Sequence, residues 1–258
     1  MRLGLHALGI GSGADRTVID AVASAADNAG FATLWAGEHV VMVDRPASRY
    51  PYSDDGVIAV PAQADWLDPM IALAFAAAAS SRIAVATGVL LLPEHNPVVV
   101  AKQAASLDRL SGGRLVLGVG VGWFREEFEA LGVPFERRAA RTAEYVAAMR
   151  TLWRDDVASF SGDFVTFDRV RVNPKPVRDR RIPIVVGATA TPRCGGSRPG
   201  PTAGTGSTLM VLTRCANGLS RSSSCAPSRV ATVASCHWPW LCATPGRRRR
   251  GPGRTGRR

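Results

Sequence analysis

The segment from Asn96 to Trp123 most constrains what this chain can fold into, because it joins a helix to a buried strand through a tight glycine turn. Apolar residues at helical spacing from Val98 to Leu110, with polar residues between them, predict the helix. Ser111-Gly112-Gly113 ends it, since glycine accepts the left-handed conformation found at helix C-termini. Leu115–Val119 is apolar throughout, which is typical of a parallel strand covered on both faces.

Two glycines, Gly120 and Gly122, follow this strand directly. Glycine lets a ligand approach the backbone closely, and α/β folds bind ligands at the carboxyl ends of their strands. The spacing Gly118-x-Gly120-x-Gly122 differs from the Gly-x-Gly-x-x-Gly of dinucleotide loops. No acidic residue ends a second strand about 20 residues further on either, so the pattern does not predict a Rossmann site.

Strands and helices alternate along the first 187 residues. The predicted strands cover residues 3–8, 33–35, 83–87, 115–119 and 184–186, and the predicted helices cover residues 18–29, 69–79, 98–110 and 141–153. This alternation predicts an α/β architecture with a parallel sheet. Residues 43–65 show little periodicity and predict a long loop of the kind that carries function, and residues 160–167 predict a polar hairpin.

Composition changes abruptly after Gly187. Residues 1–187 hold 20 Lys and Arg against 21 Asp and Glu, whereas residues 188–258 hold 12 Arg, no Lys and no acidic residue. The net charge of +11 therefore belongs to the tail, and so do all five cysteines: Cys194, Cys215, Cys225, Cys236 and Cys242. Three interpretations are open for such a tail: an arm that binds nucleic acid, a disordered linker, or a wrong reading frame.

A different reading frame restores ordinary protein sequence to the tail. When G+C-rich codons are assigned to residues 188–196, the shifted frame gives His-Ser-Asp-Ala-Ala-Leu-Arg-Arg, a helix start with its cap. Residues 200–207 permit Ala-Asp-Gly-Trp-Tyr-Gly-Phe, and residues 214–221 and 223–229 regain acidic residues in that same frame. We therefore predict a body of residues 1–187 and a tail of residues 188–258 that is a frameshift product, disordered as written, with one base lost near codons 187 and 188.

Three ordered motifs in the body resemble one enzyme family. Residues 29–39, Ala-Gly-Phe-Ala-Thr-Leu-Trp-Ala-Gly-Glu-His, resemble its second-strand signature, and the Asn96–Trp123 segment resembles its most diagnostic motif. Ser161-Gly162, Pro174-Lys-Pro176 and Ile182-Pro-Ile-Val-Val-Gly187 resemble its approach to the fifth strand. The family is that of the bacterial luciferase-like monooxygenases, most closely the branch that uses the deazaflavin coenzyme F420. The resemblance implies a (β/α)8 TIM barrel, of which the body supplies about five strands.

The resemblance also implies which residues form the site. His39 is the predicted acid/base, because an imidazole exchanges protons near neutral pH; the alternative is a histidine that only hydrogen-bonds the adjoining loop. The predicted cofactor-binding residues are Thr87, Gly88, Val89, Asn96, Gly120, Gly122 and Gly187. At Gly88–Val89 the family often has a non-prolyl cis peptide bond behind the cofactor ring, and Gly187 begins its phosphate-binding turn.

Other residues of the same region are open or depart from the family pattern. His6 is either a packed core histidine or part of the barrel mouth, and His95 is either solvated or part of the site. Trp123 stands where some relatives carry a glutamate acid, so their sugar-phosphate dehydrogenase chemistry is not expected.

The predicted function is hydride transfer or monooxygenation of a small organic substrate, with F420 as cofactor and FMN as the alternative. Whether the chain is active as written depends on its tail. A different class of function is a non-catalytic basic protein that binds nucleic acid through Arg247–Arg250, and a third option is a truncated barrel without catalysis. If the tail is a frameshift product its arginines are accidental, so a nucleic-acid partner is not favoured.

Metal, membrane and secretion are not predicted. No His, Cys and Asp cluster of the body has metal-ligand spacing. Residues 70–92 are interrupted by Ser80-Ser81-Arg82 and fall short of the roughly 18 uncharged apolar residues of a membrane span. The body lacks cysteine and a signal peptide, which favours the cytoplasm. The resemblance implies a homodimer for full-length members.

Overall fold

Five parallel strands form one sheet in chain order. The computed structural model describes residues 3–187 and the backbone of residues 212–214. The five strands are β1 (Gly4–Leu5), β2 (Thr33–Ala36), β3 (Ala84–Thr87), β4 (Leu115–Val119) and β7 (Ile184–Gly187). Each pairs in parallel with the next, so the order is β1-β2-β3-β4-β7. The predicted parallel α/β architecture is confirmed.

Helices follow the strands, and side chains cap the first three of them. The helices are α1 (Arg16–Asn28), α2 (Pro69–Ala78), α3 (Pro97–Leu110), α4 (Arg125–Ala130) and α5 (Arg138–Arg154). Asp15 accepts hydrogen bonds from the first turn of α1, and Asp68 does the same for α2. Such caps satisfy backbone N–H groups that have no partner inside the helix.

The helices cover one face of the sheet, and a tryptophan fills the other. Strand residues Leu34, Val85, Leu115, Leu117 and Ile184 join helix residues Leu73, Ala76, Ala101, Ala104 and Met149 in one buried cluster. Side chains alternate along a strand, so Trp35 points to the opposite face from Leu34. There a Cβ atom added to Gly4 or Gly88 would lie 2.8 or 3.1 Å from the Trp35 ring, so glycine makes room for it.

Three elements differ most from the sequence prediction. β1 has two residues rather than six, and Ala7, at a φ of 68°, interrupts the extended chain beyond it. α5 begins at Arg138 instead of residue 141. α4 was not predicted, because it has only six residues and no side chain caps it. The predicted hairpin is present as the antiparallel pair β5 (Ala158–Ser161) and β6 (Thr166–Val170).

In the tail the structure describes a single strand, β8 (Leu212–Arg214), which pairs antiparallel with β7. The next strand of a (β/α)8 barrel is parallel, so β8 does not continue the barrel pattern. The predicted disorder and reading frame of residues 188–211 and 215–258 lie outside the described residues. Among the helices that are described, none has the length and apolar character needed to cross a bilayer.

Candidate active site

His39 follows β2 directly, at the carboxyl edge of the sheet, and is paired with a buried carboxylate. Its Nδ1 lies 2.8 Å from Oε2 of Glu127, a residue of α4 with a fully buried side chain. The other Glu127 oxygen accepts the backbone N–H groups of Val40 at 2.6 Å and Val41 at 3.2 Å. Three N–H donors therefore stabilise Glu127 as a carboxylate. Because that carboxylate accepts a hydrogen bond from Nδ1–H, Nε2 is the ring nitrogen of His39 left for a ligand.

Aromatic side chains enclose the His39 ring. Trp66 stands edge-on to it with ring centroids 4.9 Å apart, and Trp123 and Phe124 each lie 6.0 Å away. Trp123 stacks on Phe124 at 4.8 Å and also meets the edge of Tyr50. Tyr50 comes from the long loop predicted to be functional, so this loop reaches the region of His39. The surroundings of the acid/base candidate are flat, aromatic and largely apolar.

The carboxyl end of β3 forms a bulge against β4. The Gly88–Val89 peptide bond is cis, which is the geometry implied by the family resemblance. His6 Nε2 donates to the Gly88 carbonyl oxygen at 2.7 Å, so the exposed His6 has a partner in this bulge. A Cβ atom on Gly120 would lie 2.6 Å from Cγ2 of Val89, and therefore only glycine fits beneath the Val89 side chain. Gly122 has a φ of 76°, where glycine is favoured.

The remaining predicted cofactor residues are at the same edge, but two of them have structural hydrogen bonds. Thr87 is fully buried and donates from Oγ1 to the Gly118 carbonyl at 2.7 Å. Oδ1 of the exposed Asn96 caps α3 by accepting from two backbone N–H groups. Gly187 ends β7 beside β4, and the turn that follows it lies outside the described residues. The cofactor roles of these residues stay predictions.

A second glutamate–histidine pair lies beside the first. Glu38 Oε1 is 2.9 Å from His95 Nε2, and Glu38 Oε2 accepts the Leu91 N–H at 2.5 Å. Burial lowers the pKa of His95, but the hydrogen bond and charge of Glu38, with the charges of Asp68 and Glu127, outweigh it and raise this pKa above its ordinary value. His95 is therefore paired rather than merely solvated.

Glu94 is a third buried carboxyl group in this region, and it has no hydrogen-bond partner on either oxygen. Its side chain lies against Gly122, where an added Cβ would be 3.2 Å from Glu94 Oε1. Burial, together with the negative charges of Glu127 and Glu38, raises the pKa of Glu94 to about 9. In the part of the chain that the structure describes, no group of three or more His, Cys, Asp or Glu side chains is arranged so that it could hold a metal ion.

Sequence reasoning missed all three carboxyl groups as parts of the site. Glu38 precedes His39 after β2, and Glu94 precedes His95 in the loop after β3, so the repeated Glu-His dipeptide is a signal that could have found them. Glu127 gave no such signal, since it is 88 residues from His39 and lies on the unpredicted α4.

The opposite end of the sheet carries a structural carboxylate instead. A depression of about 510 Å³ lies there between Asp27 and Arg82. Asp27 accepts the backbone N–H groups of Ser81, Arg82 and Ile83, and these hydrogen bonds help to hold its pKa at about 2, although burial opposes them. Because its oxygens are occupied by the turn before β3, this carboxylate stabilises the fold. The amino-terminal end of a β/α barrel commonly has that role.

The sequence and fold are similar to those of known proteins. The model of the luciferase-like monooxygenase family matches residues 4–193, and the chain belongs to this family. An uncharacterized protein of Mycobacterium tuberculosis is 39% identical over 178 residues, which are 69% of this chain and 63% of that protein. An FMNH2-dependent dimethylsulfone monooxygenase of Pseudomonas putida is 36% identical over 104 residues, 39% of this chain and 28% of that enzyme. The chain thus spans less than two thirds of the length of these relatives.

Solved structures show the same fold. The monooxygenase RslO1 of Streptomyces bottropensis matches with a TM-score of 0.60 and 27% identity, over 74% of this chain and 55% of that chain. An F420-dependent secondary alcohol dehydrogenase, solved with an F420-acetone adduct, matches with a TM-score of 0.57 and 23% identity, over 72% of this chain and 52% of that one. The family and its neighbours are flavin- or F420-dependent oxidoreductases, and they give the nucleic-acid alternative no support.

Proposed function

We propose that this chain is a flavin- or deazaflavin-dependent oxidoreductase that acts on a small organic substrate by hydride transfer or monooxygenation. The observation that carries the proposal is the Glu127–His39 pair, which supplies a buried proton-transfer group at the carboxyl edge of a luciferase-like sheet. Active sites of β/α barrels lie at this edge.

The described residues suit a flat ring system. The Gly88–Val89 peptide follows β3, and Gly120 and Gly122 follow β4, so this stretch of main chain lies at the edge where the family resemblance puts the cofactor. Trp66 and Trp123 add aromatic faces of the kind that contact planar rings. When bound, the cofactor supplies two-electron transfer at its central ring, and FMN also supplies the reaction with oxygen that underlies monooxygenation.

The chain's own part is to orient and to move a proton. Glu127 stabilises the protonated imidazole of His39, and Nε2 then gives a proton to, or takes one from, a substrate oxygen. The aromatic side chains exclude water from that step, which strengthens the electrostatic effect of Glu127.

F420 is the proposed cofactor and FMN the alternative. The Asn96–Trp123 segment resembles the deazaflavin branch, and one structural neighbour uses F420, whereas one relative uses FMNH2. We also propose a cytoplasmic homodimer, as the cysteine-free body and the family resemblance favour.

Cofactor titration and one substitution test the function. Both full chains are used, the 258-residue chain and a frame-restored chain with one base inserted near codon 188, and each is titrated with F420 and FMN. His39→Gln is expected to keep cofactor affinity and to lose turnover by roughly 10²–10⁴-fold, the usual contribution of general acid–base catalysis. His95→Gln, which breaks the neighbouring pair, is the matched control and should lose far less. Binding of neither cofactor by the frame-restored chain, or full turnover in His39→Gln, would contradict the proposal.

A further inference from the structure

Three buried carboxyl groups surround His39 and His95, and they differ in their supply of hydrogen-bond donors. Glu127 accepts three N–H hydrogen bonds, one of them from the His39 ring. Glu38 accepts two, one of them from the His95 ring. Glu94 accepts none. Hydrogen bonds to an ionised carboxylate favour its charged form, and their absence in a buried place favours the neutral acid.

Like charges prevent the three groups from being ionised together. The side chains of Glu38 and Glu127 are 2% and 0% exposed, and Glu94 as a residue is 7% exposed, so water screens none of them well. Both carboxylates act on Glu94 as repelling charges. When neighbouring carboxyl groups compete in this way, one of them retains a proton. Because Glu94 is the one of the three that accepts no hydrogen bond, this proton resides on Glu94.

We propose that Glu94 is a positioning residue that holds one proton in this cluster, so that Glu127 stays ionised as the partner of His39. The proposal rests on the acid/base role proposed above for His39. If the proton resided on Glu127 instead, the imidazole would lose the carboxylate that supports its charged form. If Glu94 were ionised as well, a third negative charge would oppose release of the proton from His39.

The charged groups around Glu94 are consistent with this assignment. Glu38 and His39 come from the end of β2, Glu127 from α4, and His95 is the next residue along the chain. From α5, which packs against residues 92–94, Arg138 donates to the Gly122 carbonyl, and Arg141 donates to the carbonyls of Pro134 and Glu136. These arginine contacts are with backbone oxygens, and neither arginine is hydrogen-bonded to Glu94.

The first measurement uses the unaltered protein without cofactor. NMR of the full chain that folds, whether the 258-residue or the frame-restored form, labelled at the glutamate carboxyl carbon, is expected to show one carboxyl group still protonated at neutral pH. The ring signals of His39 and His95, assigned by His→Gln substitution, are expected to show a second, alkaline titration step as that carboxyl group ionises. Absence of a protonated carboxyl group at neutral pH would overturn the proposal.

Substitution then assigns the step. Glu94→Gln keeps a neutral group of similar shape and should abolish the alkaline step in both histidine signals. Glu94→Met serves the same purpose if the glutamine variant does not fold. Glu129→Gln, the same change at an exposed position of α4, should leave the alkaline step unchanged. An alkaline step that persists without Glu94 would refute the assignment. Because no cofactor is present, this outcome is separate from failure of the proposed function.

Discussion

At the scale of single residues, adjacent carboxylates on α4 tie the site together. Glu127 holds His39 and the two N–H groups after it, while Glu126 accepts the N–H groups of Ala47 at 2.6 Å and Ser48 at 2.9 Å. Burial opposes the charge on Glu126, yet its hydrogen bonds lower its pKa to about 2. A single turn of helix therefore fixes the acid/base candidate and the start of the long loop relative to each other.

Glu94 makes stability depend on pH in a defined direction. Its pKa is about 9 in the folded protein against an ordinary value of 4.5. The unfolded chain thus releases this proton near pH 4.5 while the folded chain keeps it, so Glu94 lowers stability progressively as pH rises from about 5 to 9. In Glu94→Gln this loss disappears. The variant should gain on the order of 4 kcal/mol relative to the unaltered chain between pH 5 and pH 8.

Urea unfolding of the frame-restored chain at a series of pH values measures this effect. The exposed Glu129→Gln variant should follow the unaltered chain across the whole range. Stability curves for Glu94→Gln that run parallel to those of the unaltered protein would show that Glu94 ionises normally in the fold.

Residue chemistry was predictable from the sequence only where it is local. His39 is predicted because a histidine just after a strand stands out, and Gly88 and Gly120 because they lie at the ends of apolar strands; the roles of these residues stay predictions. Glu127 contacts His39 across 88 residues of chain, and no local pattern records such a contact. The proposed protonation of Glu94 follows from the absence of hydrogen-bond donors to its two oxygens, and only the packed structure shows that absence.

At the scale of elements, prediction succeeded where an apolar run has a cap. The helix predicted for residues 98–110 begins one residue earlier, at Pro97 behind the Asn96 cap, and β4 is as predicted. Prediction failed at α4, which is short and uncapped, and at β1, where Ala7 leaves the extended conformation. Both differences lie at the carboxyl edge of the sheet, where residues contribute to the candidate site more than to the buried core.

Two substitutions of Asn96 can distinguish its capping of α3 from a role in cofactor binding. Asn96→Ala removes the oxygen that accepts from the first turn and should cost about 1 kcal/mol of stability. Asn96→Asp keeps an accepting oxygen and should retain that stability, but it lacks the amide donor. If Asn96 also binds the cofactor, both variants weaken cofactor binding, whereas only the alanine variant is destabilised. Thermal unfolding with cofactor titration distinguishes these results, and unchanged binding in Asn96→Asp would leave capping as its role.

At the scale of the whole molecule, three boundaries nearly coincide. The fifth parallel strand ends at Gly187, the last acidic residue is Asp179, and the family match stops at residue 193. A (β/α)8 barrel closes only when all eight strands pair, and the described residues supply five of them. The one tail strand described, β8, runs antiparallel to β7.

We therefore predict that the reading frame of the tail decides whether this molecule folds. As written, residues 188–258 offer 12 arginines without a single acidic residue and no alternation of strands and helices. A barrel left open would expose unpaired strand edges and apolar surface, which promote aggregation. The phosphate turn expected after Gly187 would also lack the helix start whose N–H groups bind anions.

The 258-residue product should be insoluble or unfold without cooperativity and bind neither cofactor, whereas the frame-restored product should be soluble and bind one. Expression of both, with thermal unfolding and cofactor titration, makes the comparison. Sequencing of codons 185–190 checks the frame itself. Cooperative unfolding and cofactor binding by the 258-residue product would show that its tail is a genuine part of the enzyme.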